Sequence, residues 1–154
     1  MEMALNSFFV NEDEARIAAA AVQKFRQRQS KKITIRTSYD LAALFDFIKG
    51  KKQEVFIIAT LNSAHEVIKT HIITKGLVNQ TQVHPREVFR HAITDNAVAI
   101  ACAHNHPGGS CEPSEPDKRV SFRLKDAGEI IGIHLLDSLV VSKTGYSSIL
   151  HEGA

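Results

Sequence analysis

The chain has 154 residues, 44% of them hydrophobic, with a formal net charge of +2, which suits one globular domain with its own core. Its lysines and arginines are interleaved with acids, so charge alone neither demands nor excludes a nucleic-acid partner. No apolar run reaches the length of a membrane span, no signal-peptide pattern is visible, and the only two cysteines, Cys102 and Cys111, fit a reducing, cytoplasmic setting better than a disulfide framework.

From Asn11 an acidic stretch leads into Ala15, Ile17, Ala18, Ala21, Val22 and Phe25 at helical spacing, which predicts a capped helix turning basic through Lys24, Arg26 and Arg28. Residues 1–30 are expected to be a helical leader and 31–154 the main domain, with Gln29 to Lys32 as a short connector. A second helix is expected after Ser38 as its N-cap, with Leu41, Leu44, Phe45 and Ile48 on one face and Gly50 as its stop. Glu54 to Leu61 and Glu66 to Ile73 are rich in β-branched residues and predict an antiparallel strand pair, with a break at Gly76.

His84 to Ile93 reads as a helix with Pro85 near its start. The unbroken apolar run Ala97 to Ala103 fits a central strand buried on both faces, and the segment from His104 to Pro116 is expected as the loop leaving it. Val120 to Ala127 predicts part of a further helix ended by Gly128. Ile130 to Leu136 and Leu139 to Ser142 are expected as two strands, with Tyr146 to Leu150 as an edge. The fold class is therefore α/β, of the mixed α+β kind, with a single central mixed sheet flanked by helices.

The chemistry concentrates at His104-Asn105-His106-Pro107, followed by Ser114 and Asp117. Histidines at i and i+2 on an extended segment point to one face, so both can reach one metal ion. Ser114-Glu-Pro-Asp117 has the spacing of a capping box, which explains both residues without a ligand, although a capped first turn is also a stiff platform for a carboxylate. Zinc held by His104, His106 and Asp117 keeps a fourth position open for water, the arrangement of catalytic sites. A general base must come from elsewhere. Glu54 opens a strong strand and is attractive, while Glu66, Glu87 and Glu112 remain candidates on spacing alone.

Several patterns carry less. His65-Glu66-x-x-Lys69 starts like a zinc-protease helix motif, but Lys69 replaces its second histidine and the segment reads as a strand. His84, His91, His134 and His151 have no partner at ligand spacing. The basic stretches Lys24 to Lys32 and Lys49 to Lys52 are read as solvated faces.

Glu54, the His-Asn-His-Pro-Gly-Gly loop, Pro113-Ser114-x-x-Asp117, Pro85-Arg86-Glu87-Val88 and Ala127-Gly128-Glu129 with Leu135-Leu136-Asp137 together resemble RadC-like proteins of the JAMM, or MPN-type, zinc metalloprotease superfamily. The resemblance runs from about Ile35 to Leu150 and implies the cytidine-deaminase-like JAMM/MPN architecture. It implies that His104, His106 and Asp117 bind Zn2+, that Glu54 activates the attacking water, that Ser114 helps stabilise the oxyanion, and that Pro107 shapes the ligand loop. Two positions depart from the pattern. Gly108 stands where a serine is usual, and Ser138 where a histidine is usual.

The expected function is hydrolysis of an amide or isopeptide bond in a peptide or protein substrate. The alternative is a DNA-associated accessory module, related to DNA repair, in which the zinc site is structural or vestigial and nucleic-acid association is weak. The helix-hairpin-helix-type region that precedes this domain in longer RadC proteins has no expected counterpart in the leader.

Overall fold

The computed structural model describes residues 13, 16, 17, 19–21, 23, 32–76 and 83–151. The chain divides into two units, residues 1–33 and 34–154. In the first, Asp13, Arg16, Ile17, Ala19, Ala20, Ala21 and Gln23 are helical and exposed, and the expected cap at Asn11 and basic end from Lys24 to Arg28 lie outside the described residues, as does the Gln29 to Lys32 connector apart from Lys32.

The second unit is built on strands whose sequences explain their depth. Strand β1 (Glu54–Leu61) pairs antiparallel with β2 (Val67–Gly76), as expected. On its other side β1 runs antiparallel to β3 (Ala99–Asn105), which lies parallel to β4 (His134–Ser142); β5 (Gly145–Ser148) closes the row antiparallel to β4. The order β2-β1-β3-β4-β5 makes one mixed sheet. Helix α1 (Ser38–Leu44) and a 3-10 turn at Asp46–Ile48 bury Leu41, Phe45 and Ile48 against one face, over Val55, Ile57, Ala101 and Leu139. Helices α2 (Pro85–Thr94) and α3 (Glu115–Ile131) bury Val88, Phe89 and Leu124 against the other, over Phe56, Ile58, Ile100 and Cys102. Each such side chain removed from water contributes about 1.5–3 kcal/mol. Strands β1 and β3 are covered on both faces, which is why they read as continuous apolar runs.

Four expectations are corrected. The cap of α1 is Thr37, which forms a reciprocal capping box with Asp40, while Ser38 is the first helical residue and donates its hydroxyl to Asp137 at 2.6 Å. The central strand is shifted to Ala99–Asn105, so His104 and Asn105 belong to the strand and not to the loop after it. Helix α3 runs through Gly128 to Ile131 and ends at Gly132, whose φ of +82 suits glycine at a C-terminal cap. Ile130 and Ile131 are therefore helical, and the two expected strands beyond them are one, β4, interrupted by a register shift.

Candidate metal centre

Even-numbered residues of β3 face α2 and α3. Ile100 and Cys102 sit in that cluster, and the alternation carries His104 to the same face. The His104 ring is buried at 3% exposure, opposite Phe56 on β1, with which it stacks at a centroid separation of 6.1 Å. His106 follows the end of the strand; its backbone amide donates to the Val141 carbonyl on β4 at 3.1 Å. The two Nε2 atoms lie 3.1 Å apart.

Helix α3 supplies the third group. Ser114 is its N-cap, and the predicted capping box forms: Ser114 Oγ accepts the Asp117 amide at 3.3 Å, and Asp117 Oδ2 accepts the Ser114 amide at 2.8 Å and the Ser114 hydroxyl at 2.6 Å. The same carboxylate reaches His104 Nε2 through Oδ1 at 3.1 Å and His106 Nε2 through Oδ2 at 3.2 Å. Cap and convergence are one geometry. The potential donor atoms of His104, His106 and Asp117 all lie within 4.8 Å of one another, and among the described residues they are the one such group of histidine, cysteine and acidic side chains.

The chemistry of these donors fits a cation. His106 Nδ1 faces the Ser110 carbonyl at 3.1 Å, a pure acceptor, so the ring proton of neutral His106 sits on Nδ1 and its Nε2 lone pair points into the cluster. That lone pair, the His104 Nε2 and the Asp117 carboxylate crowd together, an arrangement that a proton or a metal ion must hold. Hydrogen bonding to Asp117 raises the His106 pKa against the effect of burial, helped by the charges of Asp117 and Glu54 and by the Ser110 carbonyl. Burial works against ionisation of Asp117, but hydrogen bonds from His104, His106 and Ser114 outweigh it and hold the carboxyl well below the usual range. His104 Nδ1 is buried without a hydrogen-bond partner.

Glu54 is the first residue of β1, on the face that carries Phe56 and thus on the side of His104. It is half-buried, and desolvation raises its pKa; the charge of Asp117 raises it further, while His104 and His106 pull it down. Two of the three rival carboxylates have other company. Glu66 accepts from Asn62 at 2.8 Å, and Glu87 lies among Arg86 and Arg90 on α2.

The segment from His65 to Lys69 passes through an isolated bridge at Glu66 into β2, not a metalloprotease helix, and His71 lies 2.6 Å from Asp95. His91 stacks on His71, His134 faces Glu129, and His151 faces the Leu136 carbonyl. The thiols of Cys102 and Cys111 are both free. Burial pushes that of Cys102 up to about 12.

Three residues around the cluster have contacts that the sequence reading did not assign. Asn105, fully buried between the histidines, binds the backbone of the segment leading into Glu54. A polar side chain at the end of an otherwise apolar strand was the available signal. Ser121 and Ser138 form a buried hydroxyl pair under Asp117.

Residues 35–154 match the model of the RadC-like JAB domain. The chain belongs to this family. It is 54% identical over 102 residues to a UPF0758 protein of Methanospirillum hungatei, covering 66% of this chain and 45% of that protein. It is 39% identical over 125 residues to a UPF0758 protein of Staphylococcus haemolyticus, covering 80% and 55%, and 39% identical over 129 residues to one of Staphylococcus aureus strain NCTC 8325, covering 83% and 59%. The chain thus spans about half the length of these curated relatives. Among the described residues no helix is long and apolar enough to cross a membrane.

Proposed function

We propose that this RadC-like JAB domain is a zinc-dependent hydrolase of amide or isopeptide bonds. The observation that carries the reading is the meeting of His104 Nε2, His106 Nε2 and an Asp117 oxygen within one small volume, on the side of the sheet that also presents Glu54. His104, His106 and Asp117 hold the ion, three protein ligands being the pattern that leaves a position for water. Zinc held there supplies Lewis acidity, which brings the pKa of water to about 7 and polarises a carbonyl.

Glu54 is the general base. Its raised pKa brings it closer to that of the proton it must take from the attacking water and return to the leaving amine. Ser114 is the oxyanion donor in this reading: its proton, directed at Asp117 Oδ2, turns toward the developing charge on the carbonyl oxygen. Pro107 follows His106 and opens the turn that runs through Gly108, and so shapes the ligand loop. The substrate is a peptide or protein. The two free thiols suit the cytoplasmic setting expected for the chain. The DNA-associated alternative is not favoured.

The test is metal analysis of purified wild type beside His104→Ala and Asp117→Ala, followed by a panel of peptide and isopeptide substrates with wild type and Glu54→Gln. About one zinc per wild-type chain, little in the ligand variants, and hydrolysis lost in Glu54→Gln with zinc retained is the expected pattern. Wild type without zinc under chelator-free conditions overturns the metal site, and hydrolysis by Glu54→Gln removes that residue from the mechanism.

A further inference from the structure

Strand β4 does not keep step with β3. Ile100 pairs with Leu135 and Cys102 with Ser138, so one residue of β3 is matched by two of β4, Leu136 and Asp137. Such a bulge re-aims the side chains that follow it. Leu135 packs with the α2 and α3 cluster, and simple alternation would send Ser138 to the opposite face, toward α1. The bulge returns it to the α3 face, while Leu136 packs with the α1 cluster and Asp137 accepts the Ser38 hydroxyl from the start of α1. Asp137 stabilises the bulge, since its Oδ1 accepts the Ser138 amide and the Ser148 hydroxyl, each at 2.7 Å.

Ser138, fully buried, meets Ser121 of α3 with 2.7 Å between hydroxyl oxygens; Ser121 is 1% exposed. Ser121 donates its only hydroxyl proton to the Asp117 carbonyl at 2.9 Å. The proton between the two serines must therefore come from Ser138. A directed chain results, from the Ser138 hydroxyl to the Ser121 hydroxyl to the backbone of the residue whose carboxylate faces His104 and His106. It ties the first turn of α3 to the sheet that carries the histidines.

We propose that Ser138 is a positioning residue for the metal triad: acting through Ser121, it sets where α3 holds the Asp117 carboxylate against His104 and His106. This rests on the metal site proposed above. Groups that orient ligands from behind commonly change metal affinity by 10–100-fold when removed.

The experiment measures zinc affinity by chelator competition, and the visible d–d band of the cobalt-loaded protein, for wild type, Ser138→Ala, Ser121→Ala, the double variant and Ser138→Thr. Expected are affinities about 10-fold weaker for Ser138→Ala, with an altered cobalt band. The double variant is expected to be no weaker than Ser121→Ala alone, because both act through one chain, and Ser138→Thr, which keeps the hydroxyl, to restore wild-type affinity and band. A merely structural hydroxyl would lower the apoprotein's thermal midpoint and leave the band unchanged. Should Ser138→Ala not fold, Ser138→Cys, close in size but a poorer donor, is read in the same way. Ser138→Ala that binds zinc within about two-fold of wild type with an unchanged band overturns the proposal, being well below the effect such groups produce. Wild type that binds neither metal overturns the metal site itself and takes this inference with it.

Discussion

Asn105 Oδ1 accepts the backbone amide of Val55 at 2.7 Å, so the residue between the two triad histidines also closes the start of the strand that carries Glu54. Its Nδ2 donates to the carbonyls of Lys51 at 3.2 Å and Gln53 at 3.1 Å. Asn105→Ala strips three backbone groups of this partner and is expected to cost about 3 kcal/mol, at roughly 1 kcal/mol for each lost bond. Asn105→Asp keeps an acceptor for Val55 but turns carboxylate oxygen toward two carbonyls, so it is expected to be no better. Urea denaturation measures both; a loss under about 1 kcal/mol in each would mean that another group holds this segment.

The pH response of the apoprotein and of the metal-loaded protein should differ in sign. The His106 pKa is raised above its ordinary 6.5, so its contribution to apoprotein stability is fully present below 6.5 and fades as pH rises through the raised value. Asp117 is held below its ordinary 3.8, so its contribution is present above 3.8 and fades as pH falls through the lowered value. The triad thus supports the apoprotein most between those two ordinary values. Zinc bound at the proposed site would have to displace the His106 proton, so its affinity is expected to rise with pH over the range where the apoprotein loses this support. Thermal midpoints with and without zinc, recorded from pH 5 to about 9, are expected to diverge upward. Parallel curves would place the titration elsewhere.

What was legible in the sequence is what depends on near neighbours. His104 and His106 share a face because strands alternate, and Asp117 is aimed by a capping box four residues long, so three of the converging groups could be read from spacing. Glu54 is fifty residues from His104, and on spacing it competed with three other carboxylates until the resemblance chose it. The Ser138–Ser121 pair depends on a bulge, which moves a side chain across the sheet without altering composition or hydropathy. At α1 the cap was expected at Ser38; Asp40, three residues after Thr37, completes the capping box that puts it at Thr37 instead.

Away from the triad, Asp95 anchors the other end of β1. Its side chain, 2% exposed, accepts the Thr60 hydroxyl at 2.7 Å and faces His71 Nε2 at 2.6 Å, with Lys69 Nζ at 3.7 Å. Burial opposes its ionisation, but hydrogen bonds from His71 and Thr60 and the charges of His71 and Lys69 prevail, holding the carboxyl below its ordinary 3.8. A depressed pKa contributes stability above 3.8 that is lost as pH falls through the folded value. Asp95→Asn is therefore expected to cost about 2 kcal/mol at neutral pH, in the range for hydrogen bonds to a charged group, and progressively less in acid. Zinc affinity should not change, since Thr60 and Glu54 lie toward opposite ends of the strand. A penalty independent of pH would mean that shape, and not charge, makes Asp95 important.

Gly128 provides a test in which the usual helix rule changes sign. In an exposed helix interior, replacing glycine by alanine stabilises by up to about 1 kcal/mol. Gly128 lies inside α3, but a β-carbon there would press into the Ile133 carbonyl oxygen, part of the chain turning back after Gly132, and would come within 3.3 Å of Phe89 Cζ on α2. The oxygen belongs to backbone that accepts no easy shift, because the Ile133 amide is itself bonded to the Gly128 carbonyl at 3.0 Å. Gly128→Ala is expected to destabilise by about 1–3 kcal/mol, the cost of overpacking a close contact. Gly132→Ala, open to solvent but at φ +82, is expected to cost about 1–2 kcal/mol through backbone strain alone. Thermal and urea unfolding of the two variants separates the cases: a Gly128→Ala protein as stable as wild type would mean that α2 and the turn after α3 pack less closely than these contacts require.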